Sequence, residues 1–340
     1  MMKKIMVVGL MHDRYIAQHY AKCFEQAGHT VIRVACDLYN PRDSGRHDFH
    51  ILDFAMKRDA NFGMKLHGQL SKFYMSEIEQ KYNPDFIFEV QHGIIIDYKD
   101  VDCPVYYHAT EPLIPSLPIN ANLQGLFYSW IGGEAELKAG HPFEITNLLF
   151  DPYFILLGYD GSIFPLRDQS KPYEIEFGFK GMCEYMDGKS SLDYKVRHIY
   201  DNRLRIIEFA RENCNLTFEG HANLEDYLIF MHKVNVALNI SGNFGCINDR
   251  TFHAMAIGCV LLNFEDPEYP SLKNYGFINK VNCLLFSNEM ELINQLIWIR
   301  THPGALEEIR EQGRRFALLQ TYQRRGKEIL SKLTKEGVLD

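Results

Sequence analysis

This sequence predicts an α/β protein of two domains, and three observations carry the prediction. The chain has 340 residues, a length that favours two hydrophobic cores over one. Short apolar runs alternate with helical stretches in two successive series, the pattern of parallel sheets flanked by helices. Between the series, residues 152–172 gather Pro152, Gly158, Gly161, Pro165 and Pro172, which break regular structure.

The elements follow in order. Lys3–Gly9 is an apolar strand, 14–27 a helix closed by Gly28-His29, and Thr30–Cys36 a second strand; together they make a strand–helix–strand unit of a parallel sheet. Residues 49–81 read as mostly helical, with a break near Gly63 or Gly68. "DFIFEV" (85–90), "CPVYYHATEP" (103–112) and "GLFYSWIGG" (125–133) supply further strands, and "FEITNLLFDP" (143–152) closes the half. The proline-rich "EPLIPSLPIN" is a loop because proline cannot continue a ladder or a helix. The second series runs from the strand and glycine turn "YEIEFGFKGM" (173–182) to a helix over 193–212 and the strand "NLTFEGH" (215–221). It continues with the helix "LEDYLIFMHK" (224–233), the strand "VNVALNIS" (234–241) and the strand "NCLLFSN" (282–288), and ends in helices.

Composition excludes several classes. An apolar fraction of 46% and a charged fraction of 24% are those of an ordinary globular protein. No apolar run approaches the ~18 residues of a membrane span, so no span and a cytoplasmic location are expected. The eight cysteines are scattered with no C-x-x-C pair, so buried thiols are expected and a metal site is not. A net charge of −8 argues against a nucleic-acid partner, which requires a basic footprint. The one cationic cluster, Arg310, Arg314, Arg315, Arg324, Arg325 and Lys327, has helical spacing and reads as a solvated or interdomain face. "GLMHDR" (9–14) lacks the G-x-G-x-x-G spacing of dinucleotide sites.

The most informative stretch is "NDRTFHAMAIGCVLLNF" (248–264). Asn248 or Asp249 can cap a short helix, Gly258 suits the left-handed residue at its end, and Cys259–Leu262 reads as a strand buried on both faces. A helix N-terminus attracts phosphate, and Arg250 adds a full charge there; the alternative is a surface ion pair for Arg250. Ligands of open α/β sheets sit at the carboxyl ends of strands. Polar residues there are His12, Asp13, His92, His108 and Glu111 in one half. In the other they are Lys180, His221, Ser241, Asn248, Asp249 and Arg250, with Gly181 in the glycine turn. The first set suits acid–base work and the second suits an anion.

"INDRTFHAMAIGCVLLNF" resembles the donor-binding helix and strand of GT-B glycosyltransferases, and more closely their spore-maturation, CgeB-like branch. "NLLFDPYF", "YEIEFGFKG", "LEDYLIFMHKVNVALNISG" and "HPGALEEIREQGRRFALLQTYQRRGKEIL" resemble that branch in the same order, so the resemblance spans roughly 143–330. It implies two facing Rossmann-like domains with a cleft between them: an acceptor-side domain over 1–152, a nucleotide-sugar domain over 153–315, and a closing helix over 316–340 that returns to the first. By the same resemblance Asn248, Asp249 and Arg250 meet the donor diphosphate, with no metal and no cofactor beyond the donor itself. Lys180 and Gly181 approach phosphate, and His221 and Ser241 line the site. His12 or Asp13, His92 or Glu111 supplies a base beside the acceptor, whether glycan, protein or small molecule. Many family members carry two glutamates eight positions apart, the second holding the donor ribose; here Gly245 and His253 stand there. His253 is then expected to contact the donor and to titrate near pH 6.5. Two other readings stay open: a degenerate member that binds a sugar nucleotide without transfer, and a transferase acting on a nucleobase, which the acidic charge opposes.

Overall fold

A computed structural model describes residues 1–9, 11, 16–35, 50–51, 75–90, 96, 98–110, 118, 120–129, 151–181, 194–220, 224–240, 247–267 and 271–339. The chain divides into two compact units, Met1–Gly158 with Tyr322–Asp340, and Tyr159–Thr321.

In the first unit, β1 (Lys4–Gly9), β2 (Thr30–Ala35), β3 (His50–Ile51), β4 (Phe86–Val90), β5 (Val105–Ala109), β6 (Leu123–Tyr128) and β7 (Tyr153–Phe154) form a sheet in the order β3-β2-β1-β4-β5-β6-β7. All its pairings are parallel. Strand periodicity sorts its side chains into two cores. Ile5, Val7, Phe86 and Phe88 face α1 (Ile16–Gln26) and α8 (Tyr322–Lys335). Met6, Val8 and Ile87 face the opposite core, which holds Met75 and Ile78 of α2, described over 75–82. Helix α1 buries Ile16, Ala17, Tyr20, Ala21 and Phe24, one face of a 3.6-residue repeat. Gly28 then takes φ 90° and ends it, with His29 N bonded to Phe24 O at 3.1 Å, a left-handed helix stop.

The second unit holds β8 (Ile175–Lys180), β9 (Thr217–Glu219), β10 (Val234–Asn239), β11 (Val260–Phe264) and β12 (Leu284–Phe286), in the order β12-β11-β10-β8-β9. These too pair in parallel. Its helices are α3 (Tyr194–Cys214), α4 (Leu224–Met231), α5 (Asp249–Ile257), α6 (Glu289–Thr301) and α7 (Pro303–Leu318). β10 and β11 lie inside the sheet, and β11 is buried throughout, as its unbroken apolar sequence requires.

The structure corrects the expected outline in three places. Residues 50–51 are a strand rather than helix, because they extend the sheet edge by pairing Val34 with His50 and Ala35 with Ile51; Phe49 and 52–74 lie outside the described residues. The first unit runs to Gly158 rather than 152, since β7 adds to its sheet beside β6. The returning segment begins at Tyr322 rather than 316, because α7 continues to Leu318. There the two passages of chain meet: Tyr159 N donates to Gln320 O at 3.1 Å and Tyr159 pairs with Thr321 in a parallel bridge.

Four of the late arginines have local partners. Arg310 is buried on Gly258 O (2.7 Å) and Asn235 Oδ1 (2.8 Å), Arg315 pairs with Glu311, and Arg324 and Arg325 both pair with Glu328. Of the cysteines, 23, 103, 214, 259 and 283 are buried free thiols, and burial raises the pKa of each; 36, 183 and 246 lie outside the described residues. Among the described residues no helix is long and apolar enough to cross a membrane.

Candidate functional site

In the second sheet the chain leaves β8 for β9 on one side and returns to β10 on the other. In open α/β sheets such a reversal, here at the carboxyl ends of β8 and β10, is where ligands bind. Two pieces of chain meet beside it: the turn Lys180–Gly181 after β8, and the mouth of α5.

The mouth is built locally. Asn248 is the N-cap, its Oδ1 accepting from Thr251 N at 3.1 Å, and Gly258 ends the helix at φ 99°. Asp249 Oδ1 accepts from Arg250 N at 2.8 Å. An amide ladder fixes this mouth to the sheet. Asn239 and Asn263 are register partners on β10 and β11, and Asn239 Nδ2 donates to Asn263 Oδ1 at 2.6 Å and to Thr251 Oγ1 at 2.9 Å. Asn263 Nδ2 donates in turn to Phe264 O at 2.8 Å. All three residues are buried, where unmet polar groups are costly, so the ladder sets α5 in one position. Asn248 Nδ2 is buried with no partner among the described residues.

β8 and α5 each bring one cation to this place, and the two differ in freedom. Lys180 is buried, with Nζ 2.5 Å from Glu219 Oε2 on the neighbouring strand and 5.3 Å from the Phe230 ring centroid. Its charge is therefore already answered by a carboxylate. Arg250 is half-buried, with Cζ 5.7 Å from the centroid of Phe179, and among the described residues no carboxylate pairs with its guanidinium. The surface ion pair considered for Arg250 does not form among these residues. The guanidinium lies against Gly181, whose own N–H bonds Glu219 O at 3.1 Å.

His253 departs from expectation in its environment. Its imidazole stacks on Phe164 at 3.6 Å between centroids and 15° between planes, with Tyr159 and Tyr227 edge-on at 6.1 and 5.9 Å. Nε2 is 3.9 Å from Asp249 Oδ2, beyond hydrogen-bond length. Burial is the main cause that lowers its pKa to about 4; Arg250 pushes the same way and Asp249 opposes. Titration near 6.5 is thereby corrected: an imidazole held among three aromatic rings stays neutral at that pH.

Of the expected site residues, Lys180, Gly181, Asn248, Asp249, Arg250 and His253 are thus described and gather around the β8 turn and α5. His12, Asp13, His92, Glu111, His221 and Ser241 lie outside the described residues. The segments carrying His12, Asp13 and His92 follow β1 and β4, the strands between which the first sheet reverses its order. His108 is closed off: it is fully buried, its Nε2 is 2.7 Å from Ser129 Oγ, and burial lowers its pKa to about 3. Asn239, Asn263 and Phe164 were missed from sequence; the signal for the amides was a polar residue ending an apolar strand at equal register. Among the described residues no cluster of His, Cys, Asp and Glu could hold a metal ion.

Two doubly wound parallel sheets in one chain, the last helix rejoining the first, define the GT-B fold. Comparison with solved structures shows the same fold. Sucrose-phosphate synthase from Thermosynechococcus elongatus matches with a TM-score of 0.67 at 12% identity over 98% of each chain. Anabaena HepE in complex with UDP-glucose matches at 0.63 and 11% identity, over 98% of this chain and 100% of its own. A glycosyltransferase from Rickettsia africae matches at 0.62 and 10%, over 98% of each. Residues 191–331 match the model of a family described as glycosyl transferase-like, a stretch that contains α5, β11 and the amide ladder. No curated protein is similar enough in sequence to match.

Proposed function

We propose that the protein is a glycosyltransferase that moves a sugar from a nucleoside-diphosphate sugar to an acceptor hydroxyl. The observation that carries this reading is the mouth of α5: a capped helix N-terminus at the reversal of a parallel sheet, with an Arg250 that no carboxylate pairs among the described residues. Support comes from the glycosyl transferase-like match over 191–331 and from the fold shared with HepE, which is described with bound UDP-glucose. In this reading the second unit holds the donor and the first the acceptor. The acceptor oxygen attacks the anomeric carbon and gives its proton to a base among His12, Asp13, His92 and Glu111. The bond from that carbon to the phosphate oxygen breaks, and its electron pair leaves with the nucleoside diphosphate. Arg250 and the positive end of the α5 dipole stabilise that charge, so the step proceeds without a metal. A hexosyl donor, membership of the CgeB-like branch and a cytoplasmic location belong to the same proposal.

A panel of UDP-, GDP-, ADP- and dTDP-sugars followed by thermal shift tests it, since a ligand at about 100 times its dissociation constant raises stability by roughly 2.7 kcal/mol. Arg250→Ala should weaken the bound member at least about tenfold, the lower range for a charge-assisted contact, with an unchanged melting curve for the free protein. Equal affinity in calorimetry would take Arg250 out of the site. One observation favours a second reading, a protein that binds the donor without transfer. Both family glutamates are absent, and His253 is locked among aromatic rings. Donor that binds but is neither transferred nor hydrolysed would select it.

A further inference from the structure

We infer that Gly181 is a positioning residue for Arg250, its absent side chain being the seat of the guanidinium. The inference rests on the donor reading of the α5 mouth and names what orders its cation. Arginine carries a long, flexible side chain, and fixing it before binding lowers the entropy that binding would otherwise cost. An ion pair commonly does this, but here Asp249 Oδ1 is taken by the main-chain N–H of Arg250 itself. Among the described residues, what holds the guanidinium is the face of Phe179 and the bare Cα of Gly181. A Cβ on Gly181 would collide with Arg250 Nη1 and come within 3.4 Å of both Arg250 Cζ and Phe179 Cζ. The turn itself is anchored, with Gly181 N on Glu219 O at 3.1 Å.

The colliding atom is the free end of a mobile side chain. An added methyl therefore displaces Arg250, and at φ 159° it also strains the turn itself, a cost that the double variant described below separates from the loss of the seat. Gly220, at the end of the neighbouring strand, meets nothing within 4 Å and has no positive φ, so it controls for a methyl added near the site, while the double variant controls for strain at Gly181.

The test uses the full chain with UDP and UDP-glucose as probes. Gly181→Ala should bind them about tenfold more weakly, as Arg250→Ala does, and Gly220→Ala should bind as wild type does. The double variant Gly181→Ala/Arg250→Ala should bind no more weakly than Arg250→Ala alone, because the glycine acts only through the arginine. Unchanged binding by Gly181→Ala overturns the inference, and so does a further tenfold loss in the double variant. Should wild type bind neither probe, the donor reading fails with this nucleotide, and the seat is then tested without ligand. Phenylglyoxal modification of Arg250, followed by peptide mass mapping, should be several-fold faster in Gly181→Ala than in wild type or Gly220→Ala. Equal rates in all three would show that the glycine does not place the arginine.

Discussion

Lowering the pH from 7 to 5 should cost each unit about 2 kcal/mol of stability through one buried histidine, and His253→Phe should remove that loss from the second unit alone. His253 is held neutral by burial with a pKa of about 4, and His108 in the first unit with a pKa of about 3. Both values lie below the ordinary ~6.5 of an unfolded histidine. The unfolded chain therefore takes up a proton that the folded chain refuses. Stability is fully present above pH 6.5 and is lost as pH falls from there towards each folded value. At pH 5 an unfolded histidine is almost wholly protonated and neither folded one is, which corresponds to about 2 kcal/mol for each. Phenylalanine at 253 keeps a ring against Phe164 and does not titrate. Urea unfolding at pH 7 and pH 5 measures the effect. A His253→Phe protein that loses as much stability on acidification as wild type would show that His253 is not the group responsible. Donor binding, for its part, should show no inflection near pH 6.5 from His253.

What the sequence made legible was whatever neighbours along the chain decide. The cap at Asn248, the left-handed stop at Gly258 and the buried strand after it follow from local chemistry, and they form as expected. Most strands, and helices α1, α3, α4 and α5, also follow from periodicity. Residues 50–51 and 153–154 do not, because two-residue strands owe their conformation to the sheet edge they join rather than to their own composition. The site divides in the same way. Arg250 at a helix mouth was readable; its seat on Gly181 was not, since that contact joins residues far apart in sequence. The environment of His253 was hidden for the same reason. Phe164 comes from the junction stretch itself, and only the fold brings it face to face with the imidazole. His108 looked like a strand-end residue available for chemistry, yet Ser129 and Tyr20 from two other elements enclose it.

Gly326→Val should destabilise the first unit by about 3 kcal/mol, near the upper end for overpacking a filled core, while the second unit melts unchanged. Helix α8 packs on α1 in one core, and Gly326 faces Cys23 and Tyr20 there. A Cβ at 326 would overlap Cys23 Sγ, lie 2.8 Å from Cys23 Cβ and come within 3.5 Å of Tyr20 Cδ1. Cys23 Cβ belongs to a short, buried side chain on a helix and cannot swing aside as the end of an arginine can. The helix must therefore move outward as a body. That exposes Ile329 and Leu333, both fully buried, and loosens Tyr322 and Leu339 in the same core. Helix propensity works the other way, since glycine is the poorer helix former by up to ~1 kcal/mol. The collision must exceed that gain for the predicted sign to hold. Gly304, in α7 with nothing within 4 Å of its added Cβ, supplies the comparison: Gly304→Ala should be neutral or stabilising. Cys23→Ala combined with Gly326→Ala should recover part of the stability that Gly326→Ala loses, because the sulfur is the first atom met. If Gly326→Val melts with wild type, then α8 does not owe its place on α1 to this glycine. The return of residues 322–340 to the first unit would then rest on Tyr322, Ile329 and Leu333 alone.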